Sequence, residues 1–433
     1  MELILIIYTT KYRKGGEQFA RIAKTLANDI ASPMKEIICK PVESKKELKQ
    51  LFAHIQNKGK AIKEFHFIGH AGMYGPMYGT VEFPEQFSPY EIKNLQIPFA
   101  PDAKAYFRTC RSARWFAPFF AREQQVTTYG YHWYTAFSKH KDRYKPEFSN
   151  NPDKPLYCFG CKGKKSHGYL ASVKKLLGIM KAEELIEFNA TKESIDDSYN
   201  SVVELYHNVF KDIRVRKDEY DWIMAHLPQN NKINVLDIGC GNGALLRAIH
   251  KRINHGTGVD ISKNFINLAN DWNSDLPNIE FKHIEGFELP FNDNAFDTVI
   301  SLLSFRYLDW DPILQEIERV LQKDGKLLIV DMVTRPVRRK EFLTFLKSKL
   351  RSYIHQHNNP EYYQNLKKLV NDRRWKEMLK YNPMRAEHEM KWYLESRFPG
   401  RKIEIINVGY NSRIIAFDAV NMKNIKKIEL AYP

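Results

Sequence analysis

Residues 233–243, INVLDIGCGNG, constrain the fold more than any other stretch. A largely apolar run reaches Ile238 and then meets a glycine at every second position: Gly239, Gly241 and Gly243. Ala244, Leu245, Leu246, Ala248 and Ile249 follow at helical spacing. The pattern predicts a strand, a tight turn and a helix. Glycines let the backbone adopt conformations closed to other residues and come close to a ligand. The first helical turn then offers free N–H groups. Asp237, just before the turn, is placed to accept a hydrogen bond from a cationic or hydroxylated group.

The spacing is G-x-G-x-G, not the G-x-G-x-x-G of dinucleotide binders. About 20 residues further on, a second strand, GTGVD, ends in Asp260, and an acid there suits the two hydroxyls of a ribose. Apolar segments at 279–286, 289–291, 295–301 and 319–331 continue the alternation. This is the β-α-β-α-β order of a doubly wound sheet.

In this order, LDIGCGNG, GTGVDIS, EGFELPF, FDTVISLL and RVLQKDGKLLIVD resemble the class I S-adenosylmethionine-dependent methyltransferases. The likeness is strongest to the group that includes quinone and other small-molecule methyltransferases, and it covers roughly residues 195–433. It implies a seven-stranded Rossmann-like sheet with an antiparallel last strand, and S-adenosylmethionine as cofactor. By the same resemblance Asp237, Gly239, Gly241 and Gly243 hold the methionine end of the cofactor. Asp260 takes the ribose hydroxyls and Ile261 packs on the adenine. Glu285 faces the adenine amino group with the Gly286 backbone beside it, and Ser301 and Leu302 flank the methyl donor. Family members that methylate the amino group of adenine carry an Asn-Pro-Pro-Tyr-type tetrapeptide after the fourth strand. Phe305, Arg306 and Tyr307 occupy that neighbourhood here, which favours a small-molecule acceptor.

The first half alternates in the same way. Strands are expected at 2–8, 36–39, 65–70, 103–107 and 126–133, with helices at 19–30, at 48–55 (after a capping signal at Ser44 and Glu47) and around 115–120. Two strands end in reactive side chains, His70 in GHAG and Cys110 in TCRS. Carboxyl ends of parallel strands form ligand crevices. There an imidazole favours a neighbouring thiolate and protonates a leaving amine. Strand-Gly-His-x-Gly followed by strand-x-Cys-x-Ser resembles the caspase-like cysteine peptidases of the CHAT and gingipain branch, over about residues 1–140. That likeness implies a caspase-like parallel sheet with His70 and Cys110 as catalytic pair. The alternative is a buried thiol and a satisfied histidine in a ligand-binding α/β domain.

The expected architecture is therefore α/β with two doubly wound domains, 1–188 and 189–433. The span 168–188 reads as helical. A basic helical insertion at 335–384 precedes the last two strands and is expected to form a lid over the carboxyl-end crevice. Tyr199 and Tyr206, on one face of a preceding helix, either line the pocket or pack on the sheet. The net charge of +16 admits an anionic partner, but acids interrupt the basic insertion, so nucleic acid is the less favoured partner. Partners are expected to be a small molecule or a peptide. The rival readings are an RNA or DNA methyltransferase using the insertion, and a cysteine peptidase or effector with an accessory methyltransferase domain. No apolar run approaches the length of a membrane span, and no membrane partner is expected. Five cysteines in 433 residues point to a reducing cytoplasm. The Cys158–Cys161 spacing lacks the second pair a structural zinc needs, so no metal is expected.

Overall fold

The computed structural model describes residues 2–147, 149, 151–161, 173–174, 177–190, 199–229 and 232–420. The chain forms two compact units, residues 1–194 and 195–429.

In the first unit, β1 (Glu2–Tyr8), α1 (Gly16–Ile30), β2 (Lys35–Pro41), α2 (Lys45–Asn57) and β3 (Ile62–Ile68) alternate as the apolar periodicity predicts. The Ser44 hydroxyl caps α2 by accepting the Glu47 N–H at 3.1 Å. The short strands β4 (Ala71–Gly72), β5 (Gly75–Gly79) and β6 (Pro84–Gln86) form a small sheet of their own. After α3 (Pro89–Lys93) come β7 (Phe99–Arg108), α4 (Phe116–Gln124) and β8 (Thr127–Gly130). A hairpin pairs β9 (Thr135–Ser138) with β10 (Tyr157–Gly160).

The main sheet has the order β11-β8-β7-β3-β1-β2, where β11 is Ile186–Phe188 and runs antiparallel to β8. This corrects the helical reading of 168–188 at its end; residues 162–172, 175 and 176 lie outside the described residues. The reason is tertiary. The edge of β8 takes up 186–188, and the Tyr129 hydroxyl donates to Glu187 at 2.6 Å. Alternate residues of β1 feed two cores, Leu3, Leu5 and Ile7 on one face and Ile4 and Ile6 on the other.

The second unit opens with a 3₁₀ turn at Tyr199–Val202, α5 (Val203–Phe210) and α6 (Lys217–His226). Then follow β12 (Asn234–Ile238), α7 (Ala244–Ile249), β13 (His255–Asp260), α8 (Lys263–Trp272), β14 (Ile279–His283), β15 (Phe296–Leu302), α9 (Trp310–Val320) and β16 (Leu321–Thr334). The insertion forms α10 (Phe342–Asn358), α11 (Pro360–Asn371) and α12 (Arg373–Tyr381). α13 (Glu387–Arg397), β17 (Glu404–Val408) and β18 (Ser412–Val420) close the unit.

The seven strands run β14-β13-β12-β15-β16-β18-β17. Only β18 is antiparallel to its neighbours, the expected Rossmann-like arrangement. Leu327 and Ile329 face α9 and α13, whereas Leu328 and Val330 face the core that contains α7 and α8. Burial on both faces explains why these strands read as continuous apolar runs. The start of the insertion is fastened by the fully buried Arg413. Its guanidinium donates to the carbonyls of Arg335 and Pro336 at 3.1 Å and to Glu341 at 2.7 Å. Among the described residues no helix is long and apolar enough to cross a membrane.

Candidate functional site

The glycine turn after β12 is stapled to β13. Gly239 and Cys240 donate their N–H groups to the Val259 carbonyl at 2.8 and 3.0 Å. All three glycines have positive φ, 74°, 53° and 76°, but they need it for different reasons. A Cβ on Gly239 would lie 2.4 Å from the Ser304 Cβ, and one on Gly243 2.4 Å from the Phe281 ring. Those two positions are required by packing. A Cβ on Gly241 would meet only Tyr206, at 3.8 Å. Gly241 therefore faces open space, where a ligand can touch the backbone.

Two carboxyls lie at the ends of these strands. Asp237 is 2% exposed, and its Oδ1 is buried without a hydrogen-bond partner. Burial, reinforced by the negative charge of Asp260, pushes its pKa up to about 7. A buried carboxyl in that state attracts a cation. Asp260 is better satisfied, accepting the N–H of Gly241 at 3.0 Å and of Ser262 at 2.9 Å. Burial still raises its pKa, against the lowering effect of the backbone donors. Ile261 follows, 61% exposed for a large apolar side chain. Glu285 and Gly286 are exposed beyond the end of β14, and Gly286 has a φ of 74°.

Ser301 is fully buried. Its hydroxyl lies 2.7 Å from that of Ser304, which donates to the Ile238 carbonyl at 2.6 Å. This chain ties the end of β15 to the end of β12, so Ser301 orients the turn from beneath. Leu302 packs half-buried against the core. Leu303 has a φ of 60°, a conformation that costs a non-glycine residue about 1–2 kcal/mol. The backbone amide of Arg306 donates to Asp331 at 2.7 Å, and its guanidinium pairs with the same buried carboxylate.

Aromatic rings gather around Tyr199 and Tyr206. Tyr199 lies 6.0 Å from Tyr307, 6.3 Å from Phe265 and 6.0 Å from Trp375, while Tyr206 lies 5.2 Å from Phe265. Trp375 belongs to α12, so the insertion does reach this neighbourhood; Leu369 of α11 packs with Val209 and Phe210. The Asn200 side chain accepts from the Ser262 hydroxyl at 2.6 Å, and Asn242 donates to the Phe210 carbonyl at 3.2 Å. These links join the leading segment to both strand ends. Sequence spacing gave no sign of Asn200 or Leu303, because one acts through a contact distant in the chain and the other through backbone conformation; Trp375 was visible as an aromatic of the insertion, but its contact with Tyr199 was not.

In the first unit Ile68 pairs with Arg108, so His70 and Cys110 each sit two residues past the same rung of neighbouring parallel strands. Their hydrogen bonds do not join them. The His70 Nε2 donates to the Lys14 carbonyl at 2.9 Å, and the Cys110 Sγ bonds the Thr135 hydroxyl at 3.2 Å and its N–H at 3.3 Å. Burial lowers the His70 pKa, keeping its ring neutral near pH 7. His70 lines an open basin of about 590 Å³ with Lys11, Arg13, Lys14 and Val81. Burial pushes the Cys158 thiol up to about 12. All five cysteines are free thiols, and among the described residues no cluster of histidines, cysteines and acids forms a metal site.

Residues 236–329 match the family model of a methyltransferase domain. Among curated proteins, a demethylmenaquinone methyltransferase of Staphylococcus aureus is 26% identical over 163 residues, 33% of this chain and 68% of that protein. A solved S-adenosylmethionine-dependent methyltransferase from Aquifex aeolicus aligns with 52% of this chain and 99% of its own, at 16% identity and a TM-score of 0.34. A geranyl diphosphate C-methyltransferase of Streptomyces coelicolor, solved with S-adenosylhomocysteine, aligns with 47% of this chain and 76% of its own, at 17% identity and a TM-score of 0.29. The site fits that donor. The orphaned Asp237 oxygen suits an ammonium, and the open face of Gly241 leaves room for a ligand against the backbone. The chain carries an S-adenosylmethionine-dependent methyltransferase domain.

Proposed function

We propose that the second unit transfers a methyl group to a small, flat, largely apolar acceptor. Bound S-adenosylmethionine supplies an electrophilic methyl carbon on a sulfonium. The chain's residues then bind and align. Asp237 pairs with the ammonium at the methionine end, over the Gly239–Gly243 turn. Asp260 accepts from the ribose hydroxyls. Ile261 covers the adenine, with Glu285 and Gly286 at its rim. Ser301 and Leu302 fix the floor beside the methyl, and catalysis is largely alignment for in-line attack.

The observation that carries the acceptor class is the wall of Tyr199, Tyr206, Phe265, Tyr307 and Trp375 near Gly241. Aromatic faces suit a planar acceptor. A phosphate backbone calls for available cations, and the Arg306 guanidinium beside this wall is already paired with Asp331. The 26% identity to a demethylmenaquinone methyltransferase agrees with a small-molecule acceptor. The test incubates the full chain with methyl-labelled donor and a whole-cell extract, then fractionates. Label in the organic, nuclease-resistant fraction is expected. Label confined to nuclease-sensitive material would replace this reading with a nucleic-acid methyltransferase.

A second activity, that of a caspase-like cysteine peptidase, is proposed for the first unit, whose parallel sheet brings two reactive side chains to the carboxyl ends of neighbouring strands. The shared rung of His70 and Cys110 is what favours it. His70, neutral near pH 7, would take the thiol proton once substrate draws the two together. A thiol-reactive peptide probe should label Cys110 in wild type and not in His70→Ala. Equal labelling of both proteins would remove the peptidase reading.

A further inference from the structure

α10 is built inside out. In a helix packed on a globular body the apolar stripe faces inward. Here no side chain of α10 is buried, and its apolar residues are the exposed ones: Leu343 73%, Leu350 63%, Tyr353 73% and Ile354 51%, with Phe342 and Leu346 beside them. The half-buried positions are Phe345, Ser348 and His355, of which Phe345 lies 6.3 Å from the Tyr410 ring. At about 100° per residue the exposed apolar side chains fill one stripe roughly 120° wide. Lys349 borders the stripe on one side and Lys347 on the other, both exposed.

The charge around the stripe has one sign. No Asp or Glu occurs between 342 and 358, whereas Lys347, Lys349 and Arg351 do. Glu341, just before the helix, is engaged by Arg413 and by the Arg338 N–H. Across 335–384 thirteen Lys and Arg stand against four Asp and Glu, so much of the net +16 of the chain is concentrated here.

We propose, in place of the expectation of no membrane partner (which rested on the lack of a spanning segment), that α10 docks on an anionic lipid bilayer, lying in the headgroup plane with its leucines in the acyl boundary. An apolar stripe bracketed by lysines is the form that meets both requirements of such a surface. The leucines leave water, and the lysine stems reach outward to lipid phosphates. A second copy of the chain would bring the same positive helix against this one, and like charges oppose that contact. Nucleic acid would satisfy the lysines and leave the leucines in water. The proposal does not depend on the acceptor assigned above.

The test uses the full chain with Leu350→Trp as reporter and sedimented vesicles of phosphatidylcholine, with or without 30% phosphatidylglycerol (roughly the anionic load that gives a cell membrane its surface potential). Expected are partitioning and a blue shift of the reporter's indole emission, taken as the difference from wild type, with the anionic vesicles only, both weakened by salt. Leu346→Glu/Leu350→Glu and Lys347→Glu/Lys349→Glu should each reduce partitioning by at least about ten-fold. They should leave the melting temperature unchanged, because α10 contributes no buried side chain. Absence of wild-type partitioning, or partitioning that both variants retain, overturns the proposal. So does a wild-type dimer that the leucine variant dissolves while lipid binding is absent.

Discussion

Asp237→Asn isolates the consequence of burying a carboxyl with one oxygen left without a partner. Asp237 titrates near pH 7 in the folded protein, against about 3.9 in an unfolded chain. Three units of difference correspond to about 4 kcal/mol. The sign follows from proton count. Between pH 4 and 7 the folded state holds the proton that the unfolded state has lost, so stability falls as pH rises through this window. Below pH 4 both states are protonated and no deficit remains. Asparagine keeps the shape and removes the titration. The ligand-free variant should therefore match wild type near pH 4 and exceed it by about 2–4 kcal/mol at pH 7 to 8. Urea denaturation at unit pH intervals reads the difference directly. A bound ammonium reverses the balance, because it stabilises the ionised carboxylate. Wild-type affinity for S-adenosylhomocysteine should rise from pH 6 to 8, and Asp237→Asn should bind about ten-fold or more weakly at pH 8, without that rise. Parallel pH–stability curves for the two proteins would refute the buried, orphaned carboxyl. Unchanged affinity would refute its pairing with the ammonium.

Two further outcomes follow from contacts around the turn. Gly239→Ala drives a methyl into Ser304 and should cost about 2–4 kcal/mol in denaturant unfolding, whereas Gly241→Ala should cost only about 1 kcal/mol yet weaken S-adenosylhomocysteine binding at least about ten-fold, as its Cβ would stand in the ligand's space. Asp331→Ala strands the Arg306 charge and should destabilise by about 3–5 kcal/mol, and Arg306→Leu/Asp331→Ala should recover much of that loss in the same assay.

The sequence made the second unit legible because its signals are local. Three glycines after an apolar run, and an acid closing the next strand, stand within about 25 residues, and the turn needs nothing distant to be recognised. The three-helix insertion was readable from its basic, periodic composition. Its contacts were not. Trp375 meets Tyr199 across more than 170 residues, and Asn200 meets Ser262 across 62. Nor did periodicity show that α10 would turn its leucines outward, since a stripe reads the same whichever way it faces. In the first unit the alternation of β and α was visible, but residues 186–188 followed a helical pattern and became a strand. Short apolar runs do not fix their own structure, and the unpaired edge of β8 decided this one. His70 and Cys110 were legible as strand-end residues; their commitment to Lys14 and Thr135 was not.

The end of β13 and the glycine turn are proposed to hold the methyl donor. Calorimetric titration of S-adenosylhomocysteine into wild type, Asp260→Ala and Cys110→Ala decides whether they do. Binding is expected to wild type and to Cys110→Ala, with affinity lost by at least about 100-fold in a folded Asp260→Ala, which lacks the carboxylate that would accept two ribose hydroxyls. Equal binding to all three proteins, or no binding to folded wild type, would contradict the proposal.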